Sequence, residues 1–287
     1  MSKRIDKIKK PDWLKVKACG DKKYLKTLSL INENRLETVC QQANCPNRSE
    51  CFSSGTATFL ILGKICTRSC RFCDIATGRP KSVDKGEPNR VANAVKIMNL
   101  KHAVITSVNR DELPDGGSTQ FVKVIEAIRA LKKDITIEVL TPDFKGDEEN
   151  ILRVFDAKPE VYNHNIETVP RLYQSVRPAA NYIQSLNLLK LISGGEVGVK
   201  SGIMVGLGET ENELKNVFTD LSAHGVEYLT IGQYLSPSKD HHPVLKYYEP
   251  SEFDDLADSA RQAGIKSVFS GPLVRSSYHA GETYQRQ

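Results

Sequence analysis

The first hundred residues contain no histidine, although all seven cysteines fall within them. That shortage weighs against structural zinc, because tetrahedral sites take four Cys or His ligands and two sites would need about eight. The clustered cysteines supply six, so histidines from elsewhere would have to complete the sets. An odd cysteine count in a chain of 287 residues also disfavours a disulfide framework, which belongs to small secreted domains with paired cysteines. No apolar run reaches the roughly eighteen residues of a membrane-spanning helix, so no span is expected. Residues 1–10 are too polar for a secretory signal and lack its apolar stretch; they read as a solvated basic arm. Free thiols without an export signal point to a reducing compartment, the cytoplasm. No internal repeat is visible.

Excess charge is scarce too. The net charge is +5, a mild basic balance that attracts acidic partners at long range but makes no case for nucleic acid. Hydrophobic residues are 39% and charged residues 26% of the chain, ordinary values for a globular protein. The length suits one large α/β domain with extensions, two smaller domains being the alternative.

What is present is a cysteine pattern. Six cysteines form two triplets, Cys40-x4-Cys45-x5-Cys51 and Cys66-x3-Cys70-x2-Cys73, with fourteen residues between them. A cubane iron–sulfur cluster takes four ligands, so each triplet would hold three irons and leave one for a non-cysteine partner. An open iron is a place where chemistry can happen. Cys19, alone in Lys-Ala-Cys-Gly, reads as an ordinary free thiol.

Residues 1–56 show little periodicity, with Trp13 as an anchor and the first triplet set among Asn44, Pro46, Asn47 and Ser49. An irregular extension is expected, stabilised by its metal because ligand binding becomes folding free energy where no other core exists. Alternating elements follow. Strands are predicted at 57–62, 102–108, 135–141, 160–165, 200–206 and 228–233, and helices at 88–99, 118–132, 148–155, 181–192 and 210–223. The last of these helices opens on the capping box Thr210-Glu-Asn-Glu213. A helix at 253–263, opened by Ser251-x-x-Asp254, and a short strand at 267–269 complete the pattern. Strands alternating with helices imply a parallel sheet, and roughly six units suggest a partial (β/α)6 barrel of the TIM type, whose strand-following loops form the active face.

The second triplet lies on the loop after the first of these strands. Polar clusters recur after the others: Ser107-Val-Asn109-Arg110-Asp111-Glu112, Thr141-Pro-Asp143, Asn163-His164-Asn165-Ile-Glu167 and Gly206-Leu-Gly208-Glu209. Any one of them reads as a helix cap or loop residue. Their recurrence on one face marks a site.

The Cys66-x3-Cys70-x2-Cys73 loop, with Phe72 before its last cysteine, resembles the signature of radical S-adenosylmethionine enzymes. The upstream triplet, the segments Asp111-Glu-Leu-Pro-Asp-Gly-Gly117 and Asn163-His-Asn-Ile-Glu167, and the tail Arg275-Ser-Ser-Tyr278 together resemble the lipoyl synthase family, over residues 11–280. The resemblance implies two [4Fe-4S] clusters and S-adenosylmethionine as cofactors. It assigns Cys66, Cys70 and Cys73 to a catalytic cluster whose open iron is chelated by the amino and carboxylate groups of S-adenosylmethionine. Reductive cleavage then gives a 5′-deoxyadenosyl radical that takes hydrogen from an octanoyl chain carried on a protein lysine, and sulfur enters at carbons 6 and 8. The sulfur source is a sacrificial auxiliary cluster on Cys40, Cys45 and Cys51, with Ser276 or Ser277 as fourth ligand, Ser277 being the choice.

Ser107, Asn163, Glu167 and Arg177 are the implied cofactor-binding residues. Arg275 is expected to contact the tail, the cluster or the substrate amide, Tyr278 the cluster region or simple packing, and His241-His242 to be surface residues. Three parts are expected: an extension over 1–56 bearing the auxiliary triplet, a barrel over 57–270, and a tail over 271–287 that closes the auxiliary cluster. The implied partners are an octanoylated lipoyl-carrier domain or glycine-cleavage H-type protein, a reductant such as flavodoxin or ferredoxin, and an iron–sulfur carrier, with no nucleic acid and no membrane. A biotin synthase-like sulfur-inserting enzyme would share the second triplet but lack the first and the tail. A zinc-binding nucleic-acid module would require a clustered basic face.

Overall fold

The computed structural model describes residues 8–16 and 20–285, so the first residues of the basic arm and Cys19 lie outside the described residues. The extension is more regular than its sequence suggests. Helix α1 (Lys22–Glu33) starts on Asp21, whose side chain accepts from the Tyr24 amide, and buries Thr27, Leu30 and Ile31 on one face. Those positions are spaced i, i+3, i+4, as a single helical stripe requires, but lysines on the other faces mask the stripe in the sequence. Strand β1 (Glu37–Thr38) and the short helices α2 (Val39–Gln42) and α3 (Arg48–Ser53) follow. Leu30, Ile31, Leu36 and Phe52 belong to the same apolar core as the barrel strands, so the extension has a core besides its metal ligands, contrary to the expectation above. Trp13 is 37% exposed, and its neighbour Leu14 is the buried residue.

The body alternates strand and helix: β2 (Thr58–Ile61), α4 (Glu87–Ile97), β3 (His102–Ser107), α5 (Ser118–Arg129), β4 (Thr136–Leu140), α6 (Glu148–Phe155), β5 (Val161–Asn163), α7 (Tyr173–Val176), α8 (Tyr182–Leu191), β6 (Gly198–Val205), α9 (Glu211–Ala223), β7 (Tyr228–Gln233), α10 (Pro250–Gln262) and β8 (Ser267–Gly271). Strands β2 to β8 pair in sequence order and all in parallel, while β1 adds antiparallel to the free edge of β2. The sheet is open, because β8 does not pair back to β2. Parallel strands are covered on both faces, which is why β2 reads Thr-Phe-Leu-Ile with every residue buried. The Thr210–Glu213 capping box forms as expected. Helix α10 begins earlier than predicted, with Glu249 and Glu252 rather than Ser251 and Asp254 making its capping box, since Pro250 fits the first helical position.

A last helix, α11 (Ala280–Gln285), was not legible in the sequence. It packs against β3, with Gly281 over His102 and Tyr284 beside His102 and Tyr228. Before it, the tail passes close to two glycines, Gly202 of β6 and Gly232 of β7. A methyl group on Gly232 would overlap the Val274 carbonyl oxygen, and one on Gly202 would stand 3.0 Å from Ser276 Oγ. The Gly232→Ala variant is therefore expected to lift the tail and to lose about 1–3 kcal/mol of stability. Limited trypsin digestion checks this: Arg275 becomes a cleavage site in the variant while the barrel resists, whereas an unchanged digest means the tail is held elsewhere.

Candidate functional site

A cavity of about 890 Å³ runs through the barrel and is lined by all six triplet cysteines, the strand-end loops of β3, β4 and β5, and the tail. The second triplet is held by its backbone: the Cys66 amide donates to Ala76 O at 2.8 Å, the Arg71 amide to Val176 O at 2.8 Å, and the Thr67 amide to Asn109 O at 3.1 Å. Cys66 Sγ accepts from the amides of Arg68 and Asn109 at 3.4 and 3.3 Å. Burial pushes the Cys70 thiol up to about 11 and Cys73 up to about 12, with Arg177 opposing the shift at Cys70. Thiols this well desolvated are thiols at neutral pH, and become thiolates when a cation binds.

Arg68, in the middle of the cysteine loop, is the strongest tie. Its Nε and Nη2 donate to both oxygens of Asp111 at 2.6 and 2.8 Å, and its Nη1 and Nη2 to both oxygens of Asp143 at 2.8 and 2.7 Å. The guanidinium is nearly buried and Asp143 completely so. Burial pushes the Asp143 carboxyl up, and Arg68 outweighs it, holding Asp143 below the usual range. Three consecutive residues after Asp143, Phe144, Lys145 and Gly146, take positive φ of 45°, 57° and 77°. Such backbone is costly outside glycine and persists where surroundings impose it; here the turn lets Asp143 reach Arg68 while Lys145 Nζ donates to Asp111 O at 2.5 Å.

The first triplet converges where the extension meets the start of β2. Burial pushes Cys40 up to about 11, against bonds from Thr58, and pushes Cys51 up to about 12, a shift that Cys40 and Cys45 reinforce. Cys45 is raised by burial and eased by the Asn47 amide, Arg275 and Arg48. The tail closes over them. Asn47 Nδ2 donates to Leu273 O at 2.7 Å, the Thr58 hydroxyl to Ser277 Oγ at 2.7 Å, and the Tyr278 hydroxyl to Glu50 at 2.9 Å. Ser276 points the other way, accepting from Asn165 Nδ2 at 2.7 Å. Ser277 is thus the serine that shares Thr58 with Cys40. The two cysteine loops also touch directly, Asn44 donating to Asp74.

The same cavity is lined by Ser107, Thr141, Asn165, Glu167 and Arg177. Ser107 Oγ, Asn165 Oδ1 and Arg177 Nε are buried polar atoms with no hydrogen-bond partner in the protein, an expensive condition unless a ligand supplies one. Glu167 has φ +67°, its carboxyl raised by burial and lowered in turn by Arg177. Asn163 is not on the cavity wall; it is fully buried in the barrel, donating at 3.4 Å to Glu138, which pairs with Lys200 Nζ at 2.8 Å. The cavity position belongs to Asn165, two residues on. Nor does the Gly206–Glu209 cluster face the cavity: Glu209 accepts from the amides of Gly206 and Leu207, a loop cap.

His241 and His242 are partly buried rather than surface residues. His241 Nε2 donates to Cys73 O at 3.1 Å, pinning the loop after β7 onto the cysteine loop, and His242 Nε2 donates to Leu207 O at 2.9 Å in the loop after β6. Among the described residues no three Cys, His, Asp or Glu side chains meet closely enough to hold a single metal ion.

Residues 60–221 match the model of the radical SAM superfamily. The chain is 51% identical over 277 residues to the lipoyl synthase of Caldicellulosiruptor saccharolyticus, covering 96% of this chain and 97% of that one. It is 53% identical over 275 residues to the lipoyl synthase of Rubrobacter xylanophilus, covering 95% and 86%. The chain belongs to the lipoyl synthase family. A solved structure of methylornithine synthase shares the fold alone, with a TM-score of 0.54 at 14% identity over 92% of this chain and 86% of that one.

The lipoyl synthase cofactors are two [4Fe-4S] clusters and S-adenosylmethionine, and the donors here suit them. Two sets of three thiols fit two cubanes, each with one iron to spare, and the unpartnered Ser107, Asn165 and Arg177 groups fit a polar ligand in the same cavity. The clamp on Arg68 was missed in the sequence, although Asp111 and Asp143 stood among the noted strand-end acids. Thr58 carried no signal at all, being an ordinary first residue of a β-strand.

His164, inside the family segment 163–167, serves the fold. Its Nδ1–H donates to Thr141 O at 2.9 Å, leaving Nε2 to accept from the Ser185 hydroxyl at 3.1 Å. Burial, then Arg177, pushes its pKa down to about 4. The unfolded histidine, at about 6.5, takes a proton more readily than the folded one, so this contribution is complete above about pH 6.5. It is lost as pH falls toward about 4, and amounts to about 3 kcal/mol. The expected result is an acid limb in urea-denaturation free energy that is flatter between those values in His164→Gln than in the parent; equal slopes contradict the assignment.

Proposed function

We propose that this chain inserts two sulfur atoms, at carbons 6 and 8, into an octanoyl group amide-linked to a lysine of a carrier protein, giving lipoyl-lysine. When bound, reduced cluster and S-adenosylmethionine supply the radical that removes hydrogen from an unactivated carbon, and the auxiliary cluster supplies sulfur. The observation that carries the reading is that both thiol triplets open onto one cavity with unpartnered buried polar groups on its wall.

Each residue has a task. Cys66, Cys70 and Cys73 hold the catalytic cluster and leave its fourth iron open. Arg177 suits the carboxylate of S-adenosylmethionine and Glu167 its amino group, while Ser107 and Asn165 offer hydrogen bonds alongside. Cys40, Cys45 and Cys51 hold the auxiliary cluster, and Thr58 orients Ser277 toward its remaining iron. An alkoxide is a less usual iron ligand than thiolate and is released more readily.

A lipoyl-carrier domain or H-type protein of glycine cleavage is the proposed acyl carrier, with a flavodoxin or ferredoxin as reductant and an iron–sulfur carrier for repair, in the cytoplasm. No described helix is long and apolar enough to cross a membrane. The test is anaerobic: purified protein, reductant, S-adenosylmethionine and an octanoyl-lysine peptide, following 5′-deoxyadenosine and peptide mass. A gain of two sulfurs supports the reading. If 5′-deoxyadenosine forms while the peptide mass stays unchanged, the substrate assignment fails.

A further inference from the structure

The loop that carries the second triplet, residues 63–86, is unevenly charged. It holds six cations, Lys64, Arg68, Arg71, Arg79, Lys81 and Lys85, against two carboxylates, Asp74 and Asp84. Both carboxylates have partners: Asp84 pairs with Arg90 at 2.8 Å, and Asp74 accepts from Asn44 and lies 3.8 Å from His241. Arg68 is held by Asp111 and Asp143, and Lys64 lies 3.8 Å from Glu37. The other four cations are exposed, and no carboxylate of the described residues lies within ion-pair distance of Arg71, Arg79, Lys81 or Lys85.

Two of these four flank the cluster ligands. Arg71 follows Cys70 directly, and Arg79 follows Gly78, whose amide donates to Cys66 O at 3.0 Å. Cys66, Cys70 and Cys73 are only half-buried, set between exposed Ser69 and Arg71 on one arm of the loop and the exposed stretch 76–79 on the other. The inner side of the thiols faces the cavity, so these arms are the side that a second protein can reach. Cations without a counter-charge at such a place draw in an acidic partner from beyond contact distance.

We propose that this stretch, through Arg71, Arg79, Lys81 and Lys85, docks an acidic, low-potential electron-transfer protein that reduces the cluster on Cys66, Cys70 and Cys73. One electron leaves the flavin or iron–sulfur centre of the donor and one enters the cluster, with no bond made or broken at the interface. The inference rests on the reading of these three cysteines as ligands of the cluster that cleaves S-adenosylmethionine.

The experiment uses the full chain with both clusters reconstituted and compares the parent with Arg71→Glu/Arg79→Glu and, should that pair disturb the loop, with Lys81→Glu/Lys85→Glu. Two quantities are read: association of oxidised flavodoxin at low and high salt, and 5′-deoxyadenosine formation driven by reduced flavodoxin or by dithionite. The expected result is association slowed about 10- to 1000-fold at low salt in the arginine pair, with a flatter salt dependence. The lysine pair loses less, and Arg71→Lys/Arg79→Lys restores most of the rate. Flavodoxin-driven 5′-deoxyadenosine falls in step, while dithionite-driven formation is unchanged. Unchanged association in both glutamate pairs overturns the proposal. An equal loss with dithionite in both pairs also overturns it and assigns the side chains to the cluster itself. Unchanged flavodoxin association with a raised KM for an octanoylated lipoyl-carrier domain overturns it as well and assigns the patch to the acyl carrier. Failure of the underlying reading is told apart by the Cys66, Cys70 and Cys73 alanine variant: if that protein still forms 5′-deoxyadenosine with dithionite, the ligand assignment is wrong whatever the patch binds.

Discussion

Replacing Cys40, Cys45 and Cys51 together by alanine leaves S-adenosylmethionine cleavage intact and abolishes sulfur insertion. The first half of that result follows from how the second loop is held: apart from the Asn44 bond to Asp74, the Cys66, Cys70 and Cys73 loop is tied by Ala76, Asn109 and Val176 and by Asp111 and Asp143, all outside the extension. The extension also keeps its fold, because Leu30, Ile31 and Phe52 are built into the common core. The second half follows from the loss of the cluster assigned here as sulfur donor, while the Cys66, Cys70 and Cys73 cluster stays committed to S-adenosylmethionine. Alanine at Cys66, Cys70 and Cys73 removes both activities, since no radical forms. The measurement is 5′-deoxyadenosine alongside peptide mass in both triple variants, and lipoyl product from the first of them refutes the sulfur-donor role.

Arg68→Ala is expected to be among the most damaging single changes outside the ligands. It leaves the carboxylates of Asp111 and Asp143 facing each other without a cation, and breaking a buried pair in this way costs about 3–5 kcal/mol. Arg68→Lys keeps the charge but not the planar fork that grips two carboxylates at once, so rescue is partial. Support groups around metal ligands typically matter by about 10- to 100-fold, and 5′-deoxyadenosine formation in Arg68→Lys is expected to fall within that range. Urea denaturation of the metal-free proteins checks the stability term. A loss below about 1 kcal/mol in Arg68→Ala contradicts the clamp.

The barrel was legible because its signals are local and periodic. Each strand is a short apolar run and each following helix an amphipathic one, so the order of β2 to β8 could be read with shifts of a residue or two. The cysteine spacing was legible because a cubane imposes it. Other features depend on contacts distant in sequence. Thr58 becomes important only because Ser277, 219 residues later, arrives beside it. Arg68 needs Asp143, 75 residues on, and an arginine between cysteines has no pattern that announces two carboxylate partners.

Position along the strand explains the Asn163 and Asn165 exchange. Both were visible in one motif, and residues two apart share a face, so the pleat does not separate them: Asn163, still within β5, is taken up by Glu138 inside the barrel, while Asn165 lies past the strand end, where side chains reach the ligand space. The histidines at 241 and 242 looked exposed because their loop is rich in Ser, Pro and Lys. Their ring nitrogens are satisfied by carbonyls of other loops, which sequence composition does not show.

The central claim is that the sulfur in the product comes from the cluster on Cys40, Cys45 and Cys51. It is tested most directly by reconstituting the protein with heavy-isotope sulfide, removing free sulfide, and running a single turnover on an octanoyl-lysine peptide in medium containing only light sulfur. The account predicts a product carrying the heavy isotope at both positions, with the auxiliary cluster gone and the catalytic cluster retained. A product carrying light sulfur, with the auxiliary cluster intact, contradicts it.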